Sequence, residues 1–297
     1  MENAWPRNGL ADLMGFVLPD LISVIVATYN RPDALDAVLR SLAHQSDSDF
    51  EVLVADDGSR PDTAAVVDSW KTRIGRRLEH VWHPDEGFRL AEIRNRAILA
   101  AAGEYCLFLD GDCLARSNFV AVHRALAERR WFVTGNRVLL SRELSQRILQ
   151  EQIAAEQWTN SRWLAEYLGR KINRAVPLFS LPLGPLRKLN TRAWRGARGA
   201  NIGIWRSDLI AVDGFDSAFA GWGREDSDLF VRLIRAGVRR KDGRWGTGVL
   251  HLWHPEADRG ALPENERRLD EVISGNRVQP AKGLSALHAE VKTPSSS

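Results

Sequence analysis

Apolar residues in the amino-terminal third of the chain fall into short continuous runs separated by amphipathic stretches. Leu21 to Thr28 reads LISVIVAT, a β-branched run of the length expected of a strand buried on both faces. From Arg31 to His44 the positions Leu35, Val38, Leu39 and Leu42 share one helical face, and Pro32 sits in the first turn, where its missing N–H costs nothing. A second strand, Phe50 to Ala55, ends in the turn residues Asp56, Asp57, Gly58 and Ser59. The alternation continues with a helix at Thr63 to Trp70, a strand at His80 to Trp82, a helix at Leu90 to Ala102 and a strand at Tyr105 to Leu109. Strand and helix in strict alternation predict a doubly wound α/β unit with a mostly parallel sheet.

Beyond this unit the pattern changes. Between Leu139 and Leu189, Ile148, Ile153, Trp158, Trp163 and Leu164 are interspersed with Arg, Lys and Gln, and the stretch ends in the Pro- and Gly-rich LPLGPLRKLN, so a helical excursion followed by a loop is expected. Order returns with a strand at Ile202 to Trp205, a turn at Asp213 to Phe215, a helix at Ser227 to Ala236 and a strand ending at His251. This divides the chain into an arm at 1–20, an α/β half at 21–138, an insertion at 139–195, a second half at 196–275 and a flexible tail at 276–297.

Composition narrows the class. The 297 residues are 44% hydrophobic and 27% charged, enough for one large core, and 41 Lys and Arg against 38 Asp and Glu leave a net charge of only +3, which argues against nucleic acid as a partner. The two cysteines, Cys106 and Cys113, are too few for a zinc site, and Cys106 lies in an apolar run that suits a buried thiol in a reducing compartment. No signal-like opening and no apolar stretch approaching the ~20 residues of a membrane span are seen. The expectation is a cytoplasmic protein, with peripheral attachment to the cytoplasmic face of an inner membrane open to it through the basic, Trp-bearing middle segment.

Parallel sheets bind ligands at the carboxyl ends of their strands. Polar residues cluster there: Tyr29 and Asn30 after the first strand, Asp56 and Asp57 after the second, Asp110 and Asp112 after the fourth. The sequence FLDGDC offers two carboxylates across a glycine, a pair suited to a hard divalent cation, although any single acidic strand end can be only a turn. VLHLWHPE supplies His251 and His254, and imidazole favours Mn2+ over Mg2+. On an extended strand the two would face opposite ways, so His251 is the favoured ligand, with hydrogen-bonded packing histidines as the alternative. GWGREDSD places Trp222, Glu225, Asp226 and Asp228 at a helix start, where the acids either cap the helix or serve as a general base beside an indole platform for a sugar. Arg89, Arg94 and Arg96 lie on or beside the third helix, and Arg94 is the candidate for a phosphate contact.

These segments also carry a resemblance. SVIVATYNRP, EVLVADDGS and EYCLFLDGDC, in that order and spacing, closely resemble the amino-terminal half of family 2 glycosyltransferases of the GT-A fold. The stretch from GANIGIWRSD to LIRAG resembles the carboxy-terminal segment of galactosyltransferases and chondroitin-type polymerases, and HLWHP resembles their late metal-ligand segment. The resemblance implies a donor site for a UDP-sugar at Tyr29 and Asp57, to which Asp110 of the DGD pair and, from the residue reading above, Arg94 are added as donor contacts. It implies a divalent cation, Mn2+ before Mg2+, on Asp110, Asp112 and His251 or His254. It further implies Asp226 as catalytic base, and Trp222 and Glu225 on the acceptor sugar. The implied reaction is inverting transfer of a hexose or N-acetylhexosamine to a glycan or glycolipid acceptor in polysaccharide or lipopolysaccharide assembly. Ala27 departs from the family, which often has a hydroxyl residue there. The rival readings are a nucleotidyltransferase, for which ATYNRPD lacks a basic glycine-rich loop, and an inactive nucleotide-sugar-binding module, against which the acids are retained. Oligomeric state has no signal in the sequence.

Overall fold

The computed structural model describes residues 18–256 and 258–292, so most of the expected arm at 1–20 and the last five residues lie outside the described residues. The first half follows the expected alternation. Strands β1 (Ile22–Thr28), β2 (Phe50–Asp56), β3 (Leu78–Trp82) and β4 (Tyr105–Asp110) enclose helices α1 (Pro32–Ala43), α2 (Pro61–Lys71) and α3 (Leu90–Ala100). After them come β5 (Cys113–Ala115), α4 (Phe119–Leu126), β6 (Trp131–Thr134), β7 (Arg137–Leu139), α5 (Arg142–Gln150) and α6 (Asn160–Leu168). The chain continues through β8 (Asn201–Trp205), α7 (Arg206–Ala211), α8 (Glu225–Arg235), β9 (Arg239–Asp242), β10 (Val249–His251), α9 (Leu262–Ser274) and α10 (Leu284–Lys292).

Seven strands form one sheet in the order β3-β2-β1-β4-β8-β6-β9. β3, β2, β1 and β4 are mutually parallel, whereas β8 runs antiparallel to both β4 and β6. β1 is buried on both faces because its side chains alternate between two helical layers. Val24 and Val26 pack with Leu35, Val38, Leu39 and Leu42 of α1, while Ile25 packs with Ile93 and Ala97 of α3 and Leu229, Phe230 and Leu233 of α8. Each such side chain, fully buried, contributes about 1.5–3 kcal/mol, so register and layer order are strongly fixed.

A second, three-stranded sheet, β5-β10-β7, positions the site. β10 pairs antiparallel with β5, opposing His251 to Cys113, and the amide of Leu252 donates to the carbonyl of Asp112 at 2.9 Å. The HLWHP segment is thereby fastened alongside DGDC although some 140 residues separate them in the chain. β5, β6, β7 and β9 were not expected from the sequence: at three or four residues each they are too short for a period to register.

In the middle segment, Ser141 and Thr159 cap α5 and α6 by accepting from the amides of Leu144 and Arg162. Trp163 is buried against Trp158, with ring centroids 4.9 Å apart, and short 3-10 turns follow at 176–178 and 184–188. Within the expected tail, residues 284–292 form α10. α10 docks on the α3 and α8 side through the buried Leu284 and Leu287. Its first turn is held by Asp213, which accepts from the amide of Ser285 at 2.8 Å and its hydroxyl at 2.7 Å. Among the described residues no helix is long and apolar enough to cross a membrane.

Candidate active site

The turns at the carboxyl ends of β1 and β2 are tied together. The amide of Asn30 donates to Ser59 Oγ at 2.8 Å and the amide of Arg60 to Asn30 Oδ1 at 3.0 Å. Tyr29, 45% exposed, stands at the rim and donates its hydroxyl to Asp85 Oδ2 at 2.8 Å. That bond to a carboxylate, with some burial, raises the phenol above its ordinary pKa. Asp57 is buried below it: Oδ1 lies 2.7 Å from His83 Nε2, and Oδ2 accepts from the amide of Arg89 at 2.9 Å. His83 is a site neighbour that the motifs above do not include. It follows the end of β3, so the strand-end rule that found Asp57 could have found it too.

The DGD turn is pressed onto β1. The amide of Gly111 donates to the carbonyl of Ala27 at 2.7 Å, and a Cβ at this position would stand 2.8 Å from that oxygen. Only glycine allows so close an approach of two backbones, and this aims Asp110 and Asp112 from one turn. Asp112 faces both histidines, 3.6 Å from His251 Nε2 and 3.2 Å from His254 Nε2. The expectation that the two histidines face opposite ways on an extended strand does not hold: β10 stops at His251, and the chain beyond it brings His254 to the same side, with the two rings 5.1 Å apart. Burial pushes His251 toward its neutral form, the form that ligates metal. Burial also pushes the Cys113 thiol well above its ordinary range, and its S–H donates to Asp112 Oδ1 at 3.5 Å.

The loop entering α8 is bent by left-handed backbone at Gly221, Gly223 and Arg224, with φ of 75°, 103° and 78°. The two glycines take this conformation without strain, and the bend delivers Glu225 and Asp226 to the head of the helix. Asp226 accepts from the amide of Gly199 at 2.8 Å and from that of its own neighbour Ser227 at 2.6 Å. Glu225 is buried; desolvation and the adjacent Asp226 push its carboxyl up to about 7, against the opposing pull of Arg94. Trp222 stays exposed at the rim, with the Arg259 guanidinium 5.1 Å from its ring centroid. Asp228 points away into the core, paired with Arg232 at 2.7 Å, and serves structure.

Arg94 joins the two halves. It is 1% exposed, and its fork donates to Asp110 Oδ1 at 3.0 Å and to Glu225 Oε1 at 3.3 Å. One guanidinium thus links the DGD turn to the GWGRED loop, whose Glu225 lies 131 residues beyond Arg94. Burial raises the Asp110 carboxyl, as does Asp112 beside it, while Arg94 and Arg137 hold it down. Tyr29 and Asp57 form a separate cluster over β1 and β2, continuous with this one along the same sheet edge.

The sequence model of glycosyl transferase family 2 matches residues 23–188, more than half of the chain. The chain belongs to this family. A second model, described as the N-terminal domain of galactosyltransferase, matches residues 188–249 and so takes up the segment carrying Trp222, Glu225 and Asp226. Among curated relatives of this family 2 member, validoxylamine A glucosyltransferase of Streptomyces hygroscopicus subsp. jinggangensis (strain 5008) is 31% identical over 261 residues, 82% of this chain and 59% of that protein. Chondroitin synthase of Escherichia coli is 27% identical over 239 residues, 73% of this chain and 33% of that one. The chain therefore spans from a third to about three fifths of these relatives. A crystal structure of GalNAc-T7 with UDP, GalNAc and Mn2+ shares the fold at a TM-score of 0.60 and 17% identity, over 86% of this chain and 48% of that chain. The fold is GT-A, with its mostly parallel sheet flanked by helices.

Proposed function

We propose that this protein is an inverting, metal-dependent glycosyltransferase that moves a hexose or N-acetylhexosamine from a UDP-sugar to a glycan or glycolipid acceptor. The observation that carries the reading is the Arg94 bridge, which holds the DGD acids and the GWGRED acids around one site. Relatives named as a glucosyltransferase and a chondroitin synthase, and a GT-A neighbour holding UDP and Mn2+, support the same class.

The donor set fits a divalent cation. Asp112, Cys113 and His251 offer atoms all within 4.8 Å of one another, the carboxylate and imidazole being donors suited to such an ion. Asp110, Asp112, His251 and His254 would hold the ion, whose chemistry when bound is to neutralise the leaving diphosphate. Two imidazoles favour Mn2+ over Mg2+.

The protein's own groups carry the remaining work. Tyr29 offers a ring face at the rim, and Asp57, oriented by His83 and the Arg89 amide, offers a remaining lone pair to the nucleobase. Asp226 takes the acceptor proton, its oxygens held by the amides of Gly199 and Ser227 so that the carboxylate does not need to reorganise. Glu225, poised near neutrality, hydrogen-bonds an acceptor hydroxyl, and Trp222 stacks on the sugar's C–H face. Arg94 keeps the acids of both halves from repelling one another.

The test is UDP release from a panel of UDP-sugars with and without Mn2+, repeated with Asp226→Asn. Release should depend on metal and fall by about 10²–10⁴-fold in the variant, while UDP binding by calorimetry stays within about twofold. Equal loss of turnover and of UDP binding would refute the assignment. Exposed leucines in the basic middle segment, Leu168 at 74% and Leu189 at 73%, support the further reading of a peripheral contact with anionic lipid; it fails if the protein does not float with anionic liposomes at low salt.

A further inference from the structure

Beside the DGD turn stands a cation whose hydrogen-bonding capacity is unused. Arg94, the residue that the sequence offered for a phosphate, is 1% exposed and gives its terminal nitrogens to Glu225, Asp110 and the carbonyl of Gly199. A buried fork committed to two acids is not free to take an incoming ligand. Arg137, the first residue of β7, is placed differently. Its side chain is 24% exposed, and Nη1 stands 3.8 Å from Asp110 Oδ2, outside hydrogen-bond range. Among the described residues its guanidinium makes no hydrogen bond, so all of its N–H donors remain open next to the acids. A guanidinium that served only to hold Asp110 would close on it as Arg94 does, at 3.0 Å.

The backbone fixes where this side chain projects. β7 runs parallel to β10 with Arg137 opposite Val249 and Leu139 opposite His251. Paired residues share a face of a sheet and successive residues alternate between faces, so Arg137 and His251 leave the three-stranded sheet on the same side. Arg137 therefore borders Asp110 and shares a face with His251, two of the residues that would hold the cation. β7 itself is pinned along its length. The Arg137 carbonyl accepts from Arg174 Nη2 at 2.7 Å, and Leu139 exchanges hydrogen bonds with Asn173 at 2.9 and 3.1 Å. Just before the strand, the Asn136 carbonyl accepts from the Val249 amide at 3.0 Å and from Asn201 Nδ2 at 3.1 Å.

We propose that Arg137 contacts the diphosphate of the donor and neutralises charge on the leaving group. The assignment rests on the proposed function, in which that diphosphate lies on a divalent cation held by the DGD acids and the histidines. A guanidinium repels such a cation, so beside these acids it weakens the binding of metal alone. With a diphosphate present the sign reverses, because the anion lies between two positive charges and the planar fork matches phosphate oxygens. Negative charge that develops as the sugar leaves then meets a group already in position.

The experiment measures three affinities on the full chain: Mn2+ alone and UDP at saturating Mn2+ by calorimetry, and uridine at saturating Mn2+ by NMR titration. Arg137→Gln should bind Mn2+ alone at least as tightly as the wild type and uridine within about twofold, yet bind UDP about tenfold or more weakly. Arg137→Lys, which keeps the charge without the fork, should recover part of the UDP affinity. The proposal is overturned if UDP affinity in Arg137→Gln stays within about twofold of the wild type. It is equally overturned if Mn2+ and uridine weaken as much as UDP, the result expected of a residue that only props the DGD turn. A wild type that binds UDP no more tightly than uridine would sink the nucleotide-sugar reading and this proposal with it, whereas a preference for UDP that survives in Arg137→Gln removes the proposal alone.

Discussion

Replacing Arg94 with methionine removes the single cation that lies between Asp110 and Glu225. At charge separations of about 4 Å and an effective dielectric of about 20, each arm contributes about 4 kcal/mol of attraction, part of which offsets the desolvation of the buried Arg94 and Glu225 and the half-buried Asp110. Breaking such a network by removing one partner costs about 3–5 kcal/mol, because Glu225 is left buried without its cation and Asp110 keeps only Arg137 at 3.8 Å. Glu225 makes the cost depend on pH. Its carboxyl sits at about 7 in the folded protein against an ordinary 4.5, so it is protonated at pH 5.5 and ionised at pH 8. A raised acid pKa means that the folded state binds the proton more tightly, so the group's contribution to stability falls as pH rises from about 4.5 through 7. The unfolding free energy of Arg94→Met in urea should therefore drop by about 3–5 kcal/mol at pH 8 and by distinctly less at pH 5.5. Arg94→Met/Glu225→Gln should recover at least half of the loss at pH 8. A loss below about 1 kcal/mol at pH 8, or one that does not change with pH, would refute the bridge as the link between the two halves.

Two other perturbations test neighbouring parts of the account. Gly111→Ala places a methyl 2.8 Å from the Ala27 carbonyl and 3.0 Å from Thr28 Cβ, so the DGD turn must lift; Mn2+ affinity by calorimetry should fall at least about tenfold, with about 1–3 kcal/mol lost in stability, and wild-type values for both would contradict the packing. His123 is fully buried beside Asn201, and burial pushes its pKa down to about 4, so the folded state resists protonation while the unfolded chain takes a proton near 6.5. Between pH 7 and 4.5 the wild type should lose about 2 kcal/mol more than His123→Gln in parallel urea titrations, and parallel pH profiles would exclude a neutral buried imidazole.

The first half of the fold was legible because β1, β2 and β4 are buried along their length and α1 is amphipathic, so hydrophobic period and turn residues agree. The acids were legible for the same reason: Asp57 and Asp110 sit where parallel strands end. What the sequence hid depends on contacts between distant segments. That His251 and His254 both reach Asp112 follows from the three-residue pairing of β10 with β5, and a strand of that length leaves no period to read. Arg94 looked like one of several helix-face arginines, since nothing local shows that α8 will bring Glu225 to it. His83 carries no local signal because its partner Asp57 lies 26 residues away. The tail looked flexible because its last residues are Thr, Pro and Ser, whereas α10 is ordered by Asp213, an acceptor some 70 residues earlier.

The claim on which the rest depends is that Asp112 and the two histidines meet at a single cation beside the base. Pulsed electron paramagnetic resonance of Mn2+ bound with UDP tests it directly. Imidazole nitrogen coupling should be present in the wild type, weaken in His251→Ala, and disappear together with tight Mn2+ binding in Asp112→Asn. Tight Mn2+ binding without nitrogen coupling in the wild type, or unchanged binding in Asp112→Asn, would contradict it.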